Sequence, residues 1–78
     1  MDLHALGAFL SLASRLHFGK AAHEANLSTS ALSRTIQRLE EETGERLLAR
    51  DNRTVSLTPA GVRFRAFAQD VLDRWEGL

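Results

Sequence analysis

The chain is organised around residues 26–40, which read NLSTSALSRTIQRLE. Ser28 is a suitable helix N-cap, because its hydroxyl can accept a hydrogen bond from a free amide of the first turn, and Leu27 and Leu32 have the spacing of a hydrophobic staple. At about 100° per residue, one side of this segment is apolar. That side consists of Leu32, Ile36, Leu39 and Thr43. The pattern predicts a helix over about 29–43 with one face in a core.

The opposite face of this helix is polar and basic. It carries small hydroxyls, an amide and arginines, which are groups that read base edges or hold phosphates in the major groove of DNA. These residues are Ser30, Ser33, Arg34, Gln37 and, at the margin, Arg38. A merely solvated face is the alternative, because most amphipathic helices have one. The flanking segments have to distinguish a recognition helix from an ordinary surface helix.

The composition limits the class of protein. A chain of 78 residues is one small domain whose burial is marginal, so a second subunit would help to stabilise it. There is no cysteine, and His4, His17 and His23 lack the spacing of a metal site. These absences predict no metal and no cofactor. No serine has a histidine at predictable reach, so we expect no enzymatic activity. Without a long apolar run or a signal peptide, the sequence predicts a cytoplasmic protein with no membrane span.

The charges are balanced overall but unevenly distributed. Ten basic and ten acidic residues cancel, which by itself argues against nucleic acid as a partner. However, basic residues outnumber acidic ones by four to one between residues 15 and 39, and by five to one between residues 46 and 65. The acids between these two segments are Glu40, Glu41, Glu42 and Glu45. They are expected to form a solvated end of the central helix, where salt screens them from its N-terminus.

Two helices are predicted before the central one. Apolar residues recur every three or four positions over residues 3–16, which indicates a scaffold helix. Residues 17–19 break that pattern, and a short helix follows over residues 20–25. Asn26 suits a left-handed turn, so the short helix, the turn and the central helix have the order of a helix-turn-helix. Lys20 opens the short helix and is either a phosphate contact or an ordinary solvated lysine.

A small β-hairpin is predicted after the central helix. Gly44 is expected to end that helix in a left-handed conformation. Residues 47–50 and 54–57 then form two short segments on either side of a turn-rich tip. A wing of about 47–57 would lie over the minor groove beside the recognition helix, where the negative potential favours arginine. Arg50 and Arg53, both placed at the tip, are the candidate contacts.

A last helix is predicted from Thr58, an N-cap, and Pro59, at the first helical position. Its apolar stripe consists of Phe64, Phe67, Ala68, Val71, Leu72, Trp75 and Leu78. Its distal half lies beyond the reach of three short helices, so a second copy is the simplest cover; a helix folded wholly onto its own core is the alternative. The candidate dimerisation residues are Phe67, Val71, Leu72, Trp75 and Leu78. We predict a DNA-binding domain over 1–57 and a linker or dimerisation helix over 58–78.

Several short motifs follow one another in a distinctive order and spacing. They are Phe18-Gly19-Lys20-Ala21-Ala22, Leu27-Ser28, Ala31-Leu32-Ser33-Arg34, Ile36, Leu39-Glu40, Gly44, Leu47, Arg50 and Leu57-Thr58-Pro59-Ala60-Gly61. Together they resemble the N-terminal domain of LysR-type transcriptional regulators over nearly the whole chain. The run Arg50–Val55 also resembles the branch of that family that regulates isoleucine–valine biosynthesis. Three positions depart from the family pattern: Ser30 stands where proline is frequent, Thr43 where leucine is usual and Leu48 where phenylalanine is usual.

The resemblance implies a mainly α fold with a small β-hairpin, namely a winged helix-turn-helix followed by a linker helix that pairs two subunits. It implies sequence-specific binding to dyad-symmetric double-stranded DNA, with major-groove contacts from Thr29, Ser30, Ser33 and Arg34 and a minor-groove contact from Arg53. The implied assembly is a homodimer, or a tetramer in the full-length protein, with a small-molecule effector bound by a C-terminal domain outside this sequence. The alternative function is a winged-helix protein-interaction module that does not bind DNA.

Overall fold

The computed structural model describes all 78 residues. It contains the helices α1 (Leu3–Arg15), α2 (Phe18–Glu24), α3 (Thr29–Thr43) and α4 (Pro59–Glu76), and the strands β1 (Leu48–Arg50) and β2 (Val55–Leu57). The two strands pair antiparallel, with Leu48 opposite Leu57 and Arg50 opposite Val55. This order of elements is that of a winged helix-turn-helix with a following helix, so the predicted fold class is confirmed.

Every helix begins at a side chain that accepts a hydrogen bond from an amide of its first turn. The predicted N-caps behave as expected: Ser28 accepts from the amide of Ala31 at 3.1 Å, and Thr58 accepts from the amide of Gly61 at 2.9 Å. Asp2 caps α1 in the same way. These short-range hydrogen bonds satisfy amides that have no partner within the helix, which explains why α3 and α4 begin where the sequence predicts.

Helix α2 is longer at its start than predicted. It begins at Phe18 and ends at Glu24, whereas the sequence pattern predicted residues 20–25. The reason is His17, whose Nδ1 atom accepts a hydrogen bond from the amide of Lys20 at 3.0 Å and so acts as the N-cap. Histidine is not among the residues preferred at this position, so no sequence signal marks the start of the helix here.

Three residues outside the strands have left-handed backbone conformations. Asn26 (φ 58°) and Gly44 (φ 73°) do so as predicted, at the turn of the helix-turn-helix and at the end of α3. Leu16 (φ 51°) also does, because α1 ends at Arg15 and Leu16 is its C-cap rather than a helical residue. A leucine is unfavourable in this region. The corner between α1 and α2 therefore carries some backbone strain.

The core lies between α1, α2, α3 and the first half of α4. The largest fully buried side chains are Phe9, Leu12, Leu32, Leu39 and Leu47. Phe64 of α4 meets Phe9 of α1 edge to face, with ring centroids 5.0 Å apart, which attaches α4 to the three-helix core. None of the four helices combines the length and apolar character needed to cross a membrane.

The core covers more of α4 than the sequence predicts. Val71 and Leu72, expected to need a partner, are half-buried because they pack against the chain's own core. Phe67, Trp75 and Leu78 remain exposed, at 50%, 58% and 96% of their surface. The uncovered part of the apolar stripe is therefore narrower than expected. Helix α4 also ends at Glu76, two residues before the predicted end.

Candidate nucleic-acid interface

The polar face of α3 points away from the core. Thr29, Ser30, Arg34 and Gln37 are exposed and Ser33 is half-buried, while Leu32 and Ile36 on the opposite side are buried. The hydroxyl of Ser30 lies 3.3 Å from that of Ser28. The side chains of Arg34 and Gln37 make no hydrogen bond within the chain, so their donors are available to a partner.

Arg38 occupies the margin of this face. It is exposed, but it borders a shallow depression formed with Asp2 and His4 at the beginning of α1 and with Glu42 one turn further along α3. The depression places Arg38 towards α1 rather than towards the hairpin. Its position suits a contact at the edge of an interface more than one at the centre.

The first helix of the helix-turn-helix presents a small basic surface. Lys20 is exposed, and Arg15, His17 and His23 lie around it. Arg15 is paired with Glu24 at 2.7 Å, which joins the end of α1 to the end of α2. The hydrogen bond from Arg15 holds the pKa of the Glu24 carboxyl below its usual value. Lys20 has no such acidic partner.

Arg50 does not lie at the tip of the hairpin, contrary to the prediction. It is the last residue of β1, and its guanidinium carbon lies 4.6 Å from the centre of the Phe18 ring. A cation over an aromatic face is attracted by the ring quadrupole, so this contact holds Arg50 against α2. Arg50 also borders a groove between α3 and the hairpin, together with Ser33 and Gln37. Arg50 is therefore held beside the groove between α3 and the hairpin, the two elements predicted to contact DNA.

Arg53 alone of the two arginines lies at the tip, and Asp51 orders the backbone around it. One carboxylate oxygen of Asp51 accepts hydrogen bonds from the amides of Arg53 and Thr54, both at 2.8 Å, and from the Thr54 hydroxyl at 3.1 Å. These bonds hold the pKa of Asp51 below its usual value, and the bond from the Arg53 amide has the largest effect. The exposed guanidinium of Arg53 has no acidic partner.

Glu40 is a structural residue that the sequence analysis missed. The sequence predicts a solvated acidic end here, but the Glu40 carboxylate is half-buried and accepts hydrogen bonds from the amides of Leu47, at 2.8 Å, and Leu48, at 3.3 Å. The available signal was its helical position, one turn after buried Ile36 and beside buried Leu39. An acid at the edge of a buried face needs partners, which only the fold could identify.

The departures from the family pattern are accommodated locally. Thr43 is half-buried, and its hydroxyl donates to the carbonyl of Leu39 at 2.9 Å, so no buried polar group is left unsatisfied. Leu48 is 3% exposed and fills its place in the core. Neither position disturbs the fold.

The ion pairs divide the basic residues into two groups. Four arginines have acidic partners within 4.0 Å: Arg15, Arg46, Arg63 and Arg74. The cations without one are Lys20, Arg34, Arg38, Arg50, Arg53 and Arg65. Five of these six lie on α2, α3 and the hairpin. A chain with zero net charge therefore keeps its unneutralised positive charge largely on one group of elements.

The model of the family described as "Bacterial regulatory helix-turn-helix protein, lysR family" matches residues 3–62. The chain belongs to the LysR family. Among relatives, it is 53% identical over 78 residues to the HTH-type transcriptional activator IlvY of Salmonella typhimurium. That alignment covers 100% of this chain and 26% of IlvY, so the chain spans about a quarter of the length of this LysR relative.

Solved structures of LysR-family proteins share the fold. The BenM DBD, solved in complex with catB site 1 DNA, is 38% identical in sequence to this chain, with a TM-score of 0.92. The match covers 99% of this chain and 86% of the BenM chain. Full-length OxyR of Pseudomonas aeruginosa is also 38% identical, with a TM-score of 0.93, and covers 99% of this chain and 26% of that one. The resemblance inferred from the sequence motifs is thus confirmed at the level of family and fold.

Proposed function

We propose that this chain is the sequence-specific DNA-binding domain of a bacterial transcriptional regulator. Helix α3 occupies the major groove, and the hairpin lies at the neighbouring minor groove. One observation carries the proposal: Ser33 and Gln37 of α3 and Arg50 of the hairpin border the same groove, so the two elements can engage one ligand. The similarity to a domain solved in complex with DNA supports the same partner.

In this arrangement the predicted contacts have distinct tasks. The side chains at the start and centre of α3 read base edges: Thr29, Ser30, Ser33, Arg34 and Gln37. Lys20, Arg38 and Arg50 hold phosphates and fix the orientation of the domain, because phosphate contacts position a protein without reading sequence. Arg53 enters the minor groove, where a narrow groove attracts arginine. All four of these cations lack an acidic partner within the chain.

We further propose that two copies act together. Residues 1–57 bind DNA, and residues 58–78 form the helix that pairs with its counterpart through Phe67, Trp75 and Leu78, with Val71 and Leu72 at the edge of the contact. A homodimer matches a dyad-symmetric site, since two-fold symmetry in the protein calls for two-fold symmetry in the DNA. The greater length of the relatives supports a further domain in the whole regulator, where an effector would bind. Such a regulator works in the cytoplasm, beside the chromosome.

The direct test is selection of duplexes from a random pool with this chain, followed by titration of the selected duplex at several salt concentrations. Binding through phosphates predicts a linear fall of log K with log salt, at a slope of about −0.9 for each phosphate neutralised on B-DNA. A winged-helix protein-interaction module would select no sequence and would show no such slope. That result would reject the proposal.

The role of Arg34 is tested on the selected duplex. Arg34→Ala should weaken binding by about 1–3 kcal/mol if the guanidinium makes a bidentate contact with a base. Arg65→Ala is the matched control, because Arg65 is also exposed and unpaired but lies on α4, outside the proposed interface. It should lose far less affinity. Equal losses would mean that net charge, and not α3, determines affinity.

A further inference from the structure

Glu40 is distinguished from the other acids of α3 by its contacts. Its side chain is 18% exposed, whereas that of Glu42 is 38% exposed and Glu41 is an exposed residue. A single oxygen, Oε2, accepts hydrogen bonds from the amides of Leu47 and Leu48. The nearest cation, Arg46, approaches the same oxygen at 3.6 Å through Nε and is itself largely exposed. The main interactions of the carboxylate are therefore its hydrogen bonds with the backbone at the base of the hairpin, and the ion pair with Arg46 is secondary.

The base of the hairpin is held on two sides by different groups. Towards α4, the amide of Thr58 donates to the carbonyl of Leu47 at 3.0 Å, and the Thr58 hydroxyl donates to the carbonyl of Arg46. Towards α3, the amides of Leu47 and Leu48 donate to Glu40 and to no other residue of that helix. The carbonyls of this segment thus fix the hairpin to α4, and its amides fix it to α3.

The direction of the hairpin relative to α3 determines where Arg53 can reach. Leu47 and Leu48 are buried and anchor the base of the hairpin in the core, and Arg50 lies over the Phe18 ring of α2 at the end of β1. Arg53 lies beyond the end of the strands, so a small rotation at the base becomes a larger displacement at the tip. A misplacement of about 1 Å already weakens a contact that depends on geometry.

We propose that Glu40 is a positioning residue for DNA recognition: it sets the hairpin against α3 so that Arg53 meets the groove beside the one that α3 occupies. The inference rests on the proposed function but concerns a residue that does not itself touch DNA. Its carboxylate borders the groove between α3 and the hairpin, but its hydrogen bonds hold it against the amides of Leu47 and Leu48 rather than leaving it free to meet a ligand.

Three substitutions separate this role from charge and from helix stability. Glu40→Ala removes the acceptor for both amides. Glu40→Gln keeps a side-chain carbonyl oxygen that can accept from both amides, and it removes the charge. Glu41→Ala is the control for charge and helix propensity, because Glu41 is a neighbouring exposed acid without a hydrogen bond. Only Glu40→Ala should change the hairpin.

The first measurement needs no DNA. Residual dipolar couplings of backbone amides in the free chain report whether the hairpin and the helices share one orientation. We expect a single alignment for the unchanged chain, Glu40→Gln and Glu41→Ala, and a separate, averaged orientation of the hairpin in Glu40→Ala. Helical couplings that stay unchanged show that the variant is folded. If the hairpin of Glu40→Ala keeps its alignment with α3, the inference is wrong, whether or not the chain binds DNA.

The second measurement is a double-mutant cycle on the duplex selected by the unchanged chain. We expect Arg53→Ala to weaken binding about tenfold in the unchanged chain and in Glu40→Gln, as for loss of one arginine contact. In Glu40→Ala the same change should cost about twofold or less, because Arg53 is already misplaced. A tenfold loss in all three backgrounds would reduce Glu40 to a structural residue and overturn the proposal.

The two measurements keep the inference separate from the proposed function. If the chain selects no duplex, the function fails while the dipolar couplings still decide whether Glu40 orients the hairpin. If Arg34→Ala weakens binding as expected and the Glu40–Arg53 cycle is additive, the function stands and the inference fails. Coupling in the cycle together with a reoriented hairpin supports both.

Discussion

Gly61 shows how a single missing side chain permits the fold. It lies in the first turn of α4, where a Cβ would overlap the carbonyl oxygen of Leu47 and lie 3.2 Å from a methyl group of Leu57. That carbonyl also accepts the amide of Thr58 and cannot move away without losing this bond. The contact between α4 and the base of the hairpin therefore requires glycine for reasons of space, since its φ is not left-handed.

We predict that Gly61→Ala lowers the free energy of unfolding by about 1–3 kcal/mol, the usual cost of overpacking. Gly7→Ala is the control, because Gly7 lies within α1 and an added Cβ would meet nothing within 4 Å. There alanine should stabilise the chain by about 0.5–1 kcal/mol through its better helix propensity. Urea denaturation at one fixed protein concentration measures both. Stabilisation by Gly61→Ala would show that α4 can shift away from the hairpin.

Among the elements, the hairpin tip depends on a single ionised group. The Asp51 oxygen accepts three hydrogen bonds from residues 53 and 54, and these lower its pKa. A depressed pKa means that the contribution is complete above the ordinary value of 3.8 and is lost as pH falls through the lower value of the folded state. The tip should therefore be insensitive to pH across the neutral range.

This prediction is checked by following the amide NMR signals of Arg53 and Thr54 during an acid titration. We expect both to follow the Asp51 carboxyl, with a midpoint below its ordinary pKa of 3.8. In Asp51→Asn, which keeps an acceptor oxygen, the titration should vanish while the tip stays ordered. Asp51→Ala should give averaged signals at every pH. A midpoint above the ordinary value would contradict the hydrogen-bonded arrangement of the tip.

The elements differ in how far the sequence predicts them, and the reason is the range of the interactions. The starts of α3 and α4 and the turns at Asn26 and Gly44 depend on neighbours within four residues, so they could be predicted. The start of α2 depends on His17, whose N-cap role is uncommon. The contacts of Glu40 with the base of the hairpin and of Arg50 with Phe18 each join two different elements. No local pattern indicates them.

At the scale of the whole molecule, the distribution of ion pairs matters more than the net charge. The net charge of zero had argued against a nucleic-acid partner. In the fold, however, acids neutralise arginines at the α1–α2 joint, below the hairpin and along α4, and leave the cations of α2, α3 and the tip free. Because exposed charges are screened beyond about 10 Å at 0.1 M salt, the charges nearest a ligand matter more than the net charge of the chain.

The exposed part of the α4 stripe carries the last prediction. Phe67 and Trp75 are both at least half exposed, although they lie on the side of the helix that contains buried Phe64 and Ala68. Apolar residues that continue a core stripe beyond the end of the core are best covered by a second copy. Two paired α4 helices would set two α3 helices for half-sites about 34–36 Å apart, or a multiple of that spacing.

Phe67→Glu combined with Trp75→Glu should give a folded monomer, because neither side chain belongs to the buried core. Val62→Glu is the matched control: Val62 is 46% exposed on the other side of α4, where a charge would leave pairing intact. Sedimentation equilibrium should show dimers for the unchanged chain and the control, and monomers for the double variant.

On a duplex with two half-sites the monomer should lose about 10²–10⁴ in affinity, since the second site is no longer bound at high effective concentration. On a single half-site it should lose almost nothing. If the unchanged chain stays monomeric at high micromolar concentration, both free and on a palindromic duplex, the exposed stripe has another role and each domain reads its half-site alone.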